Sequence, residues 1–309
     1  MKLLSLIFLT LILTGCAEAL PEKIMETTAM TETVFSDVQD NATYLQTDSV
    51  PSTEPDRPQE PALVPLVNPR DTDFVRVKDY IPGAVTDLRY ATADNFTGQV
   101  IYEFEDVFLR YGTVMKLNAA AEELAKQGLG LKIWDGFRPV SAQFKLWEIC
   151  PDDTYVANPH NGYSNHSRGF AVDVTLVDSQ GRDLEMPTGF DDFSAMADRD
   201  YSECSEAARE NARLLESVME KHGFQGYWGE WWHFNDTTRY DVESCFDPGV
   251  ISLRETAEQT ALLTEFWDES SEILKIPAGE GITILGYDEG FAMAEYWGYR
   301  GYVSMESLK

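Results

Sequence analysis

Apolar residues along 113–127 recur at helical spacing: Leu117, Ala120, Ala121 and Leu124 share one side of an Ala-, Leu- and Glu-rich run, and Gly128 stands where a helix would stop. Leu131 to Trp134 reads as a strand. Phe170 to Val177 alternates, with Phe170, Val172, Val174 and Leu176 on one face and Ala171, Asp173 and Thr175 on the other. Asp173 therefore points away from the most apolar face. A second helix is expected over Glu206 to Lys221, with Leu214, Leu215, Val218 and Met219 as its stripe, followed by Gly223 and an aromatic run from Phe224 to Phe234. Strands mixed with helices in this order predict an α+β domain over 71–247, long enough for one sizeable core.

The pattern changes on both sides of that body. From Ile251 onward short β-like runs are split by glycines, as in Ile273 to Gly286 and Trp297 to Val303, which predicts a small β module over 251–309. Residues 17–70 are rich in Thr, Glu, Asp and Pro, with prolines at 21, 51, 55, 58, 61, 65 and 69. Such a composition buries too little surface to offset ordering entropy, so 16–70 is expected to be a flexible acidic tether. Ahead of it an apolar run, Leu3 to Leu13, ends in Leu13-Thr14-Gly15-Cys16, which resembles a bacterial lipobox. The run is too short to span a bilayer. The expectation is a signal peptide over 1–15, Cys16 as the lipid-bearing first residue of the mature chain, and an exported protein anchored to the membrane on its periplasmic or cell-surface side.

Lys plus Arg number 24 against 53 Asp plus Glu, a formal charge of −29, which repels polyanions and argues against nucleic-acid binding. Cys150, Cys204 and Cys245 remain once Cys16 is assigned to lipid; an oxidising compartment permits one disulfide among them, in any of three pairings. No Cys-x-x-Cys spacing occurs, so a thiolate zinc site is not expected.

Two short segments carry the chemistry. Ser164-Asn165-His166-Ser167-Arg168-Gly169-Phe170-Ala171-Val172-Asp173 and Glu230-Trp231-Trp232-His233 together offer two imidazoles, a carboxylate ligand and a spare carboxylate. Catalytic zinc takes three protein ligands and leaves a position for water, with a separate carboxylate to take that water's proton. His166, Asp173 and His233 fit the ligand roles, for one zinc per chain, and Glu230 fits the base. The other two of the four histidines, His160 and His222, are read as bystanders. Glu230 and His233 are three apart, on opposite faces of a regular strand, so a bend or bulge is required if both serve one metal. Arg138, between Phe137 and Pro139, sits in a turn at a strand end, where it could meet a developing oxyanion or form a surface salt bridge.

These segments resemble a known family. Ser164 to Asp173 is similar to the Ser-x-His-x-x-Gly-x-Ala-x-Asp signature of the zinc D,D-peptidases, whose hedgehog-like domain is α+β. Glu230 to His233 is similar to the second motif of their D-Ala-D-Ala dipeptidase branch, known from vancomycin resistance. Asp87 to Gly98 and Trp134-Asp135-Gly136-Phe137-Arg138-Pro139 agree with that branch too, and the likeness spans most of 75–247. The resemblance implies that Arg138 steadies the oxyanion, that Tyr90 assists there, that Ser164 lines the site and that Asp191 meets the substrate's free ammonium. Phe137, Trp147 and Tyr163 read as core or wall. At Ala93 the dipeptidases often carry Trp, a departure at the edge of a pocket. The C-terminal module resembles a bacterial SH3 domain, a small β-barrel, through Leu253-Arg254, the Pro277 to Gly281 turn and Gly301-Tyr302-Val303. That likeness implies contact with cell-wall peptide or glycan.

The function implied is zinc-dependent hydrolysis of D-Ala-D-Ala or related cell-wall peptides. Two alternatives stand beside it: a D,D-carboxypeptidase or endopeptidase acting on longer wall peptides, and a metal-binding recognition protein without turnover, since this ligand signature also occurs on hedgehog-type domains. Glu230 and Arg138 argue against the latter.

Overall fold

A computed structural model describes residues 63–309. The expected signal peptide, Cys16 and the tether up to residue 62 lie outside the described residues. Among the described residues no helix is long and apolar enough to cross a membrane.

The chain opens with β1 (Phe74–Arg76), β2 (Val85–Thr86) and β3 (Phe108–Arg110), then α1 (Tyr111–Ala125), β4 (Leu129–Asp135), α2 (Val140–Ile149), β5 (Ala171–Asp178), α3 (Glu206–Lys221), β6 (Phe224–Tyr227) and β7 (Glu230–Asp236). A five-stranded sheet runs in the order β2-β4-β5-β7-β6, antiparallel except for the short β2–β4 pair. The mixed α/β architecture agrees with the α+β expectation. α1 begins two residues earlier than the periodicity suggests, and its end tightens into a turn in which Gln127 and Gly128 donate to Leu124 and Ala125, with Gly128 left-handed. α3 matches the expected span: the Ser205 hydroxyl accepts from the amide of Ala208 at 3.1 Å, Glu206 lies in its first turn and Lys221 in its last.

One core joins these elements. Leu117, Leu124, Val172, Val174, Leu176, Leu215, Val218, Trp231 and Phe234 are buried in a single cluster, with α1 against β4 and α3 against β5, β6 and β7. α1 and α3 cover one side of the sheet. Asp173 and Thr175 project to the other, and every residue from Ala171 to Val177 is buried.

The C-terminal strands β8 (Ser252–Glu255), β9 (Thr260–Leu263), β10 (Glu272–Ile276), β11 (Gly281–Asp288), β12 (Phe291–Tyr296) and β13 (Tyr299–Ser304) form an antiparallel sheet in the order β10-β9-β13-β12-β11-β8. A closed barrel is not seen among the described residues, because the end strands β10 and β8 do not pair with each other. An aromatic cluster ties this sheet to the ribbon of β1 and β3: the rings of Phe74 and Phe246 stack at 4.4 Å, with Phe108, Phe137, Leu285 and Met293 around them. Gly286 is required there, since a Cβ would run into the Cys245 carbonyl.

Residues 63–70, assigned by composition to the tether, lie instead against the folded body. Val67 donates to Gly298 at 2.7 Å, Arg76 donates to the Leu63 carbonyl at 2.7 Å, and Leu63 and Leu66 pack on the cores. Their few apolar side chains find partners that the earlier prolines and acids do not offer. Cys150, Cys204 and Cys245 are all free thiols. Cys245 belongs to the aromatic cluster, whereas Cys150 and Cys204 border the main core.

Candidate active site

The middle of the five-stranded sheet places the site. Asp173 on β5 stands opposite His233 on β7 and is also the register partner of Asp135 on β4. His166 arrives from the adjoining loop, in a single turn of 3-10 helix over His166–Arg168 that ends on left-handed Gly169. A side chain at Gly169 would strike the ring of Phe74 as well as strain the backbone. The Ser164 hydroxyl accepts from the His166 amide at 3.2 Å, fixing the entry to that turn.

The bulge required by the spacing of Glu230 and His233 is present. On β6, Gly226 and Tyr227 are neighbours, yet they pair with Phe234 and Glu230, so Trp231, Trp232 and His233 form an insertion on β7. Arg199 steadies that insertion by donating to the carbonyls of Tyr227, Trp231 and His233 at 2.8, 3.0 and 2.8 Å. Glu230 Oε2 thereby lies 3.7 Å from His233 Nδ1.

His166, Asp173 and His233 bring their ligand atoms within 4.8 Å of one another. His166 Nε2 and His233 Nδ1 are 3.2 Å apart, and the Asp173 carboxylate lies 2.9 Å from His233 Nδ1 and 3.4 Å from His166 Nε2. They sit in a cavity of about 340 Å³ that Tyr90, Arg138, Ser164, Asp191 and Glu230 also line. Every site residue singled out in the folded part of the sequence thus meets here.

A family model described as D-ala-D-ala dipeptidase matches residues 70–246. The chain belongs to the D-ala-D-ala dipeptidase family. It is 39% identical over 186 residues to the D-alanyl-D-alanine dipeptidase of Escherichia coli, covering 58% of this chain and 96% of that protein. Against the D-alanyl-D-alanine dipeptidase of Enterococcus faecium it is 35% identical over 185 residues, 52% of this chain and 90% of the relative. The Enterococcus faecalis protein of the same name is 32% identical over 184 residues, 53% of this chain and 91% of the relative.

The donor set of this family member fits zinc. His166 Nδ1 donates to the Gly136 carbonyl at 2.8 Å, and His233 Nε2 lies 3.2 Å from Asn235 Oδ1. With those N–H groups committed, the remaining lone pairs of both rings face one point together with a carboxylate, an arrangement that a cation stabilises. Ligand atoms held about 2.0–2.1 Å from a tetrahedral zinc stand about 3.3 Å apart, close to the separations seen. Electrostatics agree. Burial opposes charge on both groups, but the imidazoles hold Asp173 well below the usual carboxylate range, while Asp173 and Glu230 raise His233. The site draws positive charge.

Arg138 is buried behind the cluster. Its Nε and Nη2 donate to Asp135 Oδ2 at 3.0 and 2.5 Å, its Nη1 donates to Gln143 Oε1 at 2.9 Å, and its guanidinium lies 4.8 Å from the Tyr90 ring centre. Burial works against its charge, yet Asp135 together with Tyr90, Asp173 and Tyr102 outweighs that and keeps the pKa above its ordinary value. Of the five N–H donors on a guanidinium, these bonds use three and leave two. The salt bridge of the sequence reading exists, but it is buried and aims the arginine at the cavity.

Asp191 also lines the cavity. It adopts a left-handed backbone, φ 55°, and accepts from the Tyr90 hydroxyl at 2.8 Å. Burial pushes its carboxyl up to about 8, and burial likewise raises the Tyr90 phenol. Glu230 is also raised, chiefly by burial. Tyr163 is half exposed at the cavity rim, Phe137 lies in the aromatic cluster and Trp147 borders the main core. His160 is exposed beside Phe144, and His222 pairs with Glu123 at 2.7 Å. Ala93 is exposed and is not among the residues that line the cavity.

Sequence reasoning missed Asp135 and Asn235. Asp135 has no exposed surface and accepts from Tyr102 at 2.6 Å and Gly136 at 2.9 Å besides Arg138. The sequence holds only a carboxylate three residues before a guanidinium at a strand end, a spacing that a turn residue shares. Asn235 lies two residues beyond His233, hence on the same face of β7.

Proposed function

We propose that this chain is a zinc-dependent D-alanyl-D-alanine dipeptidase, with one zinc held by His166 Nε2, the Asp173 carboxylate and His233 Nδ1. The observation that carries this reading is the meeting of those three ligands with Glu230, Arg138 and Asp191 in one cavity. Zinc, when bound, supplies Lewis acidity toward water and the peptide carbonyl. Glu230, within reach of the ligand cluster and raised by burial, takes the proton of the attacking water and returns it to the leaving amine. Arg138, held by Asp135 and Gln143, directs its free donors to the oxyanion that grows on the carbonyl oxygen. Asp191 receives the substrate's ammonium, and Tyr90 holds that carboxylate in place. A carboxylate closing the amino end of the cavity selects a free dipeptide over a longer wall peptide.

The rest of the chain is read consistently with that role. Residues 1–15 act as a lipoprotein signal peptide, Cys16 carries the lipid, the tether leads from it to the folded body that begins by residue 63 and holds the catalytic domain, and 251–309 form an SH3-like module that touches peptidoglycan. The antiparallel sheet of β8 to β13 and the Pro277 to Gly281 turn support the last assignment. The protein then works outside the cytoplasm, at the membrane.

Metal analysis tests the core of the reading. Purified protein is expected to carry about one zinc, to lose turnover of D-Ala-D-Ala to a chelator and to regain it with zinc. Full turnover in metal-free protein, or a His166→Ala variant that keeps both metal and activity, would refute it.

A further inference from the structure

Asn235 bears on how tightly the site holds metal. Its Oδ1 lies 3.2 Å from His233 Nε2 and also accepts from Asn165 Nδ2 at 2.9 Å. By donating to that oxygen, Asn165 Nδ2 turns it toward His233 Nε2 as an acceptor. With that oxygen as its neighbour Nε2 carries the ring proton, which leaves the Nδ1 lone pair for a cation shared with Asp173 and His166. The two ligand histidines are fixed by unlike means: His166 by the backbone carbonyl of Gly136, which no substitution removes, and His233 by one side chain.

We infer that Asn235, oriented by Asn165, is a positioning residue that sets the tautomer and ring orientation of His233 and so the zinc affinity of the site. β7 pairs regularly with β6 again from Phe234, and the pairing of Asn235 with Ala171 on β5 and Gln225 on β6 holds it on the face of His233. Losing such an outer partner of a ligand histidine lowers metal affinity by roughly 10- to 100-fold. A neutral amide also leaves the imidazole less basic than a carboxylate partner would, so affinity is expected to rise or hold when a carboxylate replaces it.

The inference rests on the zinc reading above, and the test separates the two. Zinc dissociation constants are measured by competition with a chromophoric chelator for the wild-type chain and for Asn235→Leu, Asn235→Ala and Asn235→Asp, with thermal unfolding of each metal-free protein alongside. The expected result is a loss of roughly 10- to 100-fold for Leu and Ala, wild-type or tighter binding for Asp, and metal-free melting that does not track the order of affinities. Wild-type affinity in both Leu and Ala, or loss in Asp equal to that in Leu, overturns the role of Asn235 and leaves the zinc reading intact. A wild-type chain without zinc affinity overturns the zinc reading itself, and the inference with it.

Discussion

Asp191 offers the sharpest physical test, through Asp191→Asn. Asparagine keeps the size of the side chain and tolerates the left-handed backbone at φ 55°, so the substitution removes the titration and leaves the shape. The folded carboxyl is pushed up to about 8, whereas an unfolded aspartate titrates near 3.9. With the folded value raised, the stabilising contribution is fully present below the unfolded pKa of about 3.9 and is lost as pH rises through about 8. Between those limits the slope is about 1.4 kcal/mol per pH unit, so about 5 kcal/mol is the ceiling, and about 2–3 kcal/mol is expected from about pH 5 to about pH 7. The assay is urea unfolding of chelator-treated wild type and Asp191→Asn across that range, since a bound cation nearby would lower the pKa. Wild type is expected to lose stability relative to the variant as pH rises, and the difference should level off above about pH 8. A difference that stays constant with pH would mean that burial does not hold this carboxyl protonated, and the reasoning would fail.

Other outcomes follow from the same geometry. Glu230→Ala should keep zinc, because its carboxylate is not among the three ligands, and should lose turnover by ~10²–10⁴-fold in steady-state assays of the metal-loaded protein. Asp135→Ala should leave the Arg138 guanidinium buried without its main partner, costing about 3–5 kcal/mol in urea unfolding; a cost under about 1 kcal/mol would show that the pair does not matter to the fold. Arg138→Ala should lower kcat by ~10²–10³-fold with a smaller effect on KM. Cys16→Ala should move the protein from the membrane fraction to the soluble exported fraction of a bacterial host, and unchanged membrane association would remove the lipid anchor from the account.

What the sequence made legible, and what it concealed, has physical causes. α3 reads cleanly because its stripe and stop agree, Leu215 to Met219 and then Gly223, and the structure adds the Ser205 cap. α2 does not, since it places Gln143 among its buried residues and so breaks the apolar pattern that marks a helix; that glutamine is buried to hold Arg138 and the Ala157 carbonyl. The ligands were legible because zinc demands few residue types at close spacing. Asp135 and Asn235 were not, because nothing in a lone Asp or Asn tells whether it is a turn residue or a partner buried behind a functional side chain. Their roles arise from register, Asp135 beside Asp173 on the neighbouring strand and Asn235 on the same face as His233. The insertion on β7 was deducible only as a requirement, since strand periodicity alone sets Glu230 and His233 on opposite faces.

The central claim is that Asp191 ties peptide hydrolysis at this site to a substrate with a free amino end. Its most direct test is to compare kcat/KM of the zinc-loaded protein on D-Ala-D-Ala, on N-acetyl-D-Ala-D-Ala and on a wall pentapeptide ending in D-Ala-D-Ala. The expected result is efficient release of D-alanine from the free dipeptide and rates lower by orders of magnitude on both blocked substrates, because neither offers the ammonium that would draw Asp191 into its charged form and pair with it. Comparable rates on all three would contradict the dipeptidase assignment and make the chain a carboxypeptidase of longer wall peptides.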